Sequence, residues 1–227
     1  EPGTGERGRG PAVACPLCAS PDVHPFAETR TARYLRCAAC ELTFMAPEHR
    51  PSPDAERAHY GTHENDAADP GYRAFLERLA APLAERLAPG AVGLDYGCGP
   101  GPTLSRMLKE RGFSVALHDP FFAPDPAALL RDYDFVTASE VAEHFFHPGA
   151  EFRRLDGLLR PGGWVGIMTE LARDDRDFAH WRYARDPTHV VFYRETTLRW
   201  IADRFGWHLH FPERNVALFH KPERAPA

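Results

Sequence analysis

The feature that most constrains this chain is the run Ala91-Val92-Gly93-Leu94-Asp95-Tyr96-Gly97-Cys98-Gly99-Pro100-Gly101. Its apolar first half reads as a buried strand ending near Tyr96, and the three alternating glycines force a tight turn before a helix predicted over 103–111. In an open α/β sheet such a turn lies at the carboxyl edge of the strands, where ligands bind, and glycine lets the backbone approach the ligand closely. Two common nucleotide fingerprints are excluded. The dinucleotide pattern needs a third glycine at position 102, which is Pro102, and a P-loop needs a closing Gly-Lys-Ser/Thr that is absent.

The elements after this turn alternate. Strands are predicted over 114–118, 133–138 and 164–168, with a helix around 150–159 and the turn Arg160-Pro161-Gly162-Gly163 before the last of these strands. Helix 195–205 is followed by strands 207–211 and 216–220, separated by a short turn. Alternation of strand and helix predicts an α/β, Rossmann-like, doubly wound and mostly parallel sheet, and the last two strands predict a terminal antiparallel hairpin. Ahead of the turn, Phe75, Leu76, Leu79, Leu83 and Leu87 recur at helical spacing. The predicted organisation is a disordered tail at 1–12, a cysteine module at 13–47, a lid segment and helix at 48–90, the main domain at 91–221 and a tail at 222–227.

The order of motifs resembles the class I S-adenosylmethionine-dependent methyltransferases over roughly residues 91–220. The resemblance rests on the Asp-x-Gly-x-Gly-x-Gly turn, Asp119 at the end of the second strand, Tyr133-Asp134-Phe135-Val136 with Val141-Ala142-Glu143-His144, and Leu159-Arg160-Pro161-Gly162-Gly163. It implies that Asp95 and Gly97 lie near the methionine end of the cofactor, Gly99 near the sugar, and Ser139 and Glu140 beside the sulfonium. Asp119 would accept hydrogen bonds from the ribose hydroxyls, and Cys98, Gly101 and Pro120 belong to the same cofactor-binding set. Tyr60, His63 and Asn65 would fold over the cofactor as a lid. One departure is plain: only the 14 residues Pro120 to Tyr133 separate the second strand from the third, too few for the family's usual intervening strand and helix. Phe121, Phe122, Leu129 and Leu130 are candidates to cover the adenine instead.

Four of the five cysteines form Cys15-x2-Cys18-x18-Cys37-x2-Cys40. That spacing builds two knuckles around one tetrahedral Zn²⁺, and four thiolates leave no position for an activated water, so the predicted metal is structural. Iron or a redox pair is the alternative. Similar zinc ribbons precede methyltransferase domains in some ribosomal RNA guanine methyltransferases and some sugar C-methyltransferases. The first 50 residues hold six Arg against six Asp plus Glu, and the whole chain carries a formal charge of -5. Nucleic-acid binding usually rests on a basic face, so these charges argue against it. No run of about 18 apolar residues is present, and a cytoplasmic protein with no membrane association is predicted; oligomeric state is not legible.

The chemistry is expected in residues 178–193, which contain Trp181-Arg182-Tyr183, Asp186-Pro187-Thr188-His189 and Tyr193. This segment resembles a group of bacterial zinc-ribbon methyltransferases and gives no substrate. His189 is the candidate general base, because imidazole titrates near neutrality, with Asp186 to orient it. Tyr193 and His144 are the further catalytic candidates. Asp174, Asp175 and Asp177 could bind Mg²⁺ or form a charged loop. The leading functional expectation is methyl transfer to a small-molecule acceptor; an RNA methyltransferase guided by its ribbon and a catalytically inert cofactor-sensing or partner-binding module are the alternatives.

Overall fold

Residues 13–62 and 66–223 are described by the computed structural model. The expected tail at 1–12, His63 and Asn65 of the expected lid, and residues 224–227 lie outside them. The chain begins with β1 (Val23–Glu28) and β2 (Arg33–Cys37), an antiparallel hairpin, followed by β3 (Thr43–Met45) against β2. Helix α1 (Pro53–Tyr60) starts where Ser52 accepts from the Ala55 amide, and α2 (Pro70–Ala84) where Asp69 accepts from the Gly71 amide. Each helix has proline at its first position, where the missing N–H has no partner to lose. Leu76, Leu79, Ala80 and Leu83 form the buried stripe of α2.

The main sheet comprises β4 (Val92–Tyr96), β5 (Ser114–His118), β6 (Tyr133–Ser139), β7 (Leu159–Met168), β9 (His208–Glu213) and β10 (Val216–His220), in the order β5-β4-β6-β7-β10-β9. Its first four strands run parallel, and β10 pairs antiparallel with both β7 and β9. The doubly wound sheet with a terminal antiparallel hairpin is therefore present. Helices α3 (Thr103–Glu110), α4 (Pro148–Leu158) and α5 (Glu195–Phe205) connect the strands. From β4 the chain moves outward to β5, then returns to β6 on the other side. This reversal opens a crevice at the carboxyl ends of β4 and β6. Between β5 and β6 lies only the short 3-10 turn Pro126–Leu130, so β5 is the sheet edge.

β7 begins at Leu159, earlier than the predicted 164, because Tyr133 already pairs with Leu159 before a register shift.

The cysteine module is joined to the later chain. β8 (Val191–Phe192) pairs with β3, giving a second sheet of order β1-β2-β3-β8. Tyr34, Leu42 and Phe44 share one buried cluster with Phe152, Phe178, Phe192 and Leu198. Phe178 makes edge contacts at 5.0 Å with both Tyr34 and Phe192, and the Tyr34 hydroxyl donates to the Ala184 carbonyl at 3.3 Å. Each such buried aromatic side chain contributes about 1.5–3 kcal/mol over an exposed one.

Candidate functional site

Strand β4 delivers Asp95, which is buried and accepts from the Thr137 hydroxyl at 3.0 Å. Burial pushes its carboxyl up to about 6. The chain then turns through Gly97 at φ 77° and Gly99 at φ 63°, a left-handed backbone that glycine adopts without strain. A Cβ on Gly97 would stand 2.6 Å from Val141 Cγ1, so the turn and the end of β6 are in close contact. Asp119 ties the turn to β5: its Oδ2 accepts from the Gly99 amide at 3.0 Å, and its Oδ1 from the Phe121 and Phe122 amides at 2.8 and 3.0 Å. Burial and the Asp95 and Asp119 carboxylates push the Cys98 thiol up to about 12, so it stays protonated.

These residues line a cavity of about 970 Å³ at the sheet crevice. Tyr60, Asp95, Gly97, Cys98, Gly99, Gly101, Asp119, Pro120, Ser139 and Glu140 all border it, as do His144 and His189. Phe121 and Phe122 border it too, with the Tyr60 ring 5.8 Å from Phe121. Leu129 and Leu130 do not; Leu130 points outward and is 88% exposed. Tyr193 is also elsewhere. It is fully buried, its hydroxyl donates to the Ala142 carbonyl at 2.9 Å, and it packs at 6.2 Å against Phe152. The phenol is a core strut that fixes the turn before Glu143, with no face on the cavity.

Opposite the glycine turn the cavity wall is acidic and imidazole-bearing. Glu140 has φ 53° and is pushed up to about 9 by burial and by the neighbouring Glu143 and Glu170 carboxylates. His189 Nδ1 donates to the Tyr183 carbonyl at 2.7 Å and His144 Nδ1 to the Thr188 carbonyl at 2.9 Å. A carbonyl only accepts, so each neutral ring carries its lone pair on Nε2. Burial lowers the His189 pKa below the ordinary imidazole value. The expected orienting role of Asp186 is not what the side chain does. Its Oδ1 accepts from the Thr188 amide and hydroxyl at 2.8 and 2.5 Å, and its Oδ2 meets His59 Nε2 at 3.0 Å, leaving His189 Nε2 at 3.8 Å. The Tyr183 carbonyl orients His189 instead.

Several lining residues escaped the sequence reading. Tyr72 and Leu76 reach the cavity from α2 and Glu56 from α1. Tyr72 is pushed up to about 12 by burial and by the Asp95 and Glu140 carboxylates. The usable signal was the Tyr72–Leu76 spacing of four, which puts both on one helix face.

Among the described residues, two groups bring their potential metal-ligating atoms within 4.8 Å of one another: the four cysteines, and Glu143 with His144 and His189. Four sulfurs about 2.3 Å from one Zn²⁺ lie about 3.8 Å apart in a tetrahedron. Cys15–Cys40 and Cys18–Cys37 separations of 3.5 Å match that spacing closely. The acidic loop is different: Asp175 pairs with Arg36 and Arg194 and Asp174 with Arg176, so these carboxylates are already neutralised. Among the described residues no helix is long and apolar enough to cross a membrane.

A methyltransferase-domain family model matches residues 67–210, more than half of the chain. Among solved structures, the chain is similar to the Burkholderia thailandensis 1,6-didemethyltoxoflavin-N1-methyltransferase with bound 1,6-didemethyltoxoflavin and S-adenosylhomocysteine, at 16% identity, TM-score 0.56, covering 82% of this chain and 98% of that one. It is also similar to the methyltransferase in a complex with the Haloferax volcanii Trm112 activator, at 13% identity and TM-score 0.48 over 74% and 97%. The citrinin polyketide synthase CMeT domain matches at 15% identity and TM-score 0.48 over 76% and 58%. No curated protein sequence matches the chain. The match across residues 67–210 and the shared Rossmann-like fold lead to one conclusion: the chain belongs to the methyltransferase-domain family and stands among the S-adenosylmethionine-dependent methyltransferases.

Proposed function

We propose that the protein transfers a methyl group from S-adenosylmethionine to a small-molecule acceptor held against residues 178–193. The observation that carries this reading is one continuous cavity of about 970 Å³, bordered on one side by the glycine turn and on the other by His144, Tyr183 and His189. Small-molecule sites run to roughly 300–1,000 Å³, so there is room for a cofactor and a compact acceptor together. Bound S-adenosylmethionine supplies an electrophilic methyl group on a cationic sulfur.

The residues fit that cofactor. Each Asp119 oxygen has two lone pairs and Oδ2 accepts only from Gly99 N within the turn, leaving capacity for a ribose hydroxyl. Phe121, Phe122 and Tyr60 offer aromatic surface for the adenine in place of the missing strand and helix. Asp95, Ser139 and Glu140 line the cavity where the methionine end would lie, and the two carboxyl groups there suit a cation. His189 presents its Nε2 lone pair as proton acceptor for the incoming nucleophile, with His144 beside it at a ring separation of 4.8 Å. Cys15, Cys18, Cys37 and Cys40 would hold a structural Zn²⁺ that ties the two knuckles of the ribbon together.

A net charge of -5 and a neutral ribbon favour a small acceptor over RNA. At the level of fold analogy alone, the Burkholderia relative's heterocyclic ligand points the same way. Calorimetry with S-adenosylmethionine tests the reading first: absence of binding at high concentration overturns it. Retention of RNA with a steep salt dependence would replace the small-molecule acceptor with a nucleic acid.

A further inference from the structure

We propose that Glu143, His144 and His189 form a binding site for a divalent cation at the acceptor end of the cavity, with Glu140 as an additional carboxylate. The inference rests on the methyltransferase reading for its role, and on geometry alone for its existence.

Glu143 is 0% exposed, yet its Oε1 has no hydrogen-bond partner among the described residues. Leaving a buried carboxylate oxygen unpaired is costly, and a bound ion is one way a native site meets that cost. His144 Nε2 lies 3.9 Å from that oxygen, just beyond hydrogen-bond reach. Two ligands about 2.1 Å from one ion lie about 3.4 Å apart in a tetrahedral shell, so a cation between them needs a closure of about half an ångström. Glu140 Oε1 is a second buried carboxylate oxygen without a hydrogen-bond partner among the described residues, on the wall of the same cavity.

The outer contacts have the form that metal ligands require. A ligating imidazole donates its other N–H to a carbonyl or carboxylate, which fixes the tautomer and aims the lone pair. His144 Nδ1 donates to the Thr188 carbonyl and His189 Nδ1 to the Tyr183 carbonyl, so both rings turn Nε2 toward the cavity. Glu143 Oε2 accepts from Thr169 Oγ1 at 2.9 Å, and the Glu143 carbonyl accepts from the Val190 amide at 2.9 Å, which fixes the carboxylate next to His189. Two imidazoles with carboxylates suit Mn²⁺, Fe²⁺ or Zn²⁺ and leave coordination positions open. An acceptor oxygen in an open position would be oriented, and its hydroxyl proton released to water more readily, because the cation lowers its pKa. His189 then serves as a ligand in the loaded protein and as proton acceptor only without the ion.

The test is a Mn²⁺ titration followed by electron paramagnetic resonance, on protein whose ribbon metal is left in place, with S-adenosylhomocysteine binding by calorimetry measured in parallel. The expected result is a single bound Mn²⁺ whose spin-echo spectrum carries imidazole nitrogen couplings. Glu143→Gln and His144→Gln should weaken it by about 10–100-fold while S-adenosylhomocysteine still binds. No bound Mn²⁺ at millimolar concentration, or bound Mn²⁺ without nitrogen couplings, overturns the site. The wild-type couplings decide the matter even where a substitution impairs folding. Mn²⁺ binding with nitrogen couplings but no S-adenosylhomocysteine binding would uphold the cation site and overturn the cofactor reading instead.

Discussion

Gly149 is the second residue of α4, and helix propensity alone favours alanine there by about 1 kcal/mol. The structure reverses the sign. A Cβ at Gly149 would stand 2.3 Å from the Leu17 carbonyl oxygen and 3.2 Å from that of Pro16, and the Gly149 amide donates to Pro16 O at 3.2 Å. The obstructing atoms are backbone, held between Cys15 and Cys18, and no rotamer change can move them. Overpacking costs about 1–3 kcal/mol, and the strained hydrogen bond adds about 1. Against the propensity gain, Gly149→Ala should destabilise by about 2 kcal/mol, a fall in Tm of about 4–8 °C for a chain of this size. Gly157 in the same helix is the internal control. Its Cβ would meet nothing within 4 Å, so Gly157→Ala should raise stability by up to about 1 kcal/mol. Thermal unfolding by circular dichroism, with a chromogenic chelator reporting release of the proposed cysteine-bound metal, reads both. A rise in Tm for Gly149→Ala, matching Gly157→Ala, would refute the docking of the knuckle on α4.

The glycine turn can be probed by Gly97→Ala, which combines a φ of 77° with a 2.6 Å approach to Val141; S-adenosylmethionine affinity should fall at least tenfold, about 1.4 kcal/mol by calorimetry, and unchanged affinity would remove the turn from the cofactor site. Asp95 predicts a pH dependence: burial raises its carboxyl to about 6, so a cationic ligand should bind more tightly as pH rises through about 6, and Asp95→Asn should flatten that profile. For the ligand-free protein the sign is opposite, since a raised carboxyl contributes stability fully present below its ordinary 3.8 and lost as pH climbs through about 6. On the proposal that the four cysteines hold Zn²⁺, Cys37→Ser should lose that metal and lower Tm, as measured by elemental analysis and calorimetry; full metal retention would exclude Cys37 as a ligand. His189→Ala should reduce turnover by about 100-fold or more while cofactor affinity stays near wild type, and loss of cofactor binding would reassign it to folding.

Local patterns carried much of this molecule into its sequence. The glycine turn, Asp119 and the paired cysteines are short-range signals, because a tight turn and a metal knuckle impose residue types on near neighbours. The shortened link after Asp119 was countable, and the structure has a single 3-10 turn there. What escaped depends on distant pairing. β8 is two residues long and shows no periodicity of its own; only its contact with β3 makes it a strand. Asp186 stood at the spacing of an orienting acid, but the local demand of the Thr188 amide and the arrival of His59 from α1 claimed its oxygens. Tyr193 reads like an active-site phenol, and the core it fills is assembled from α4 and the turn before Glu143. The Glu143 oxygen left without a partner among the described residues is a three-dimensional fact that no motif encodes.

The late strand β8 also sets an order of assembly during synthesis. Strands β1 to β3 and all four cysteines leave the ribosome about 150 residues before Val191, a wait of roughly 7–30 s at ordinary translation rates. Throughout that interval the outer edge of β3 has no partner. Its three-residue length, Thr43–Met45, gives a neighbouring nascent chain little to pair with. When Val191 and Phe192 arrive they close that edge, and the same few residues bring His189 to Glu143, so this wall of the cavity forms only as the earlier-made hairpin is sealed.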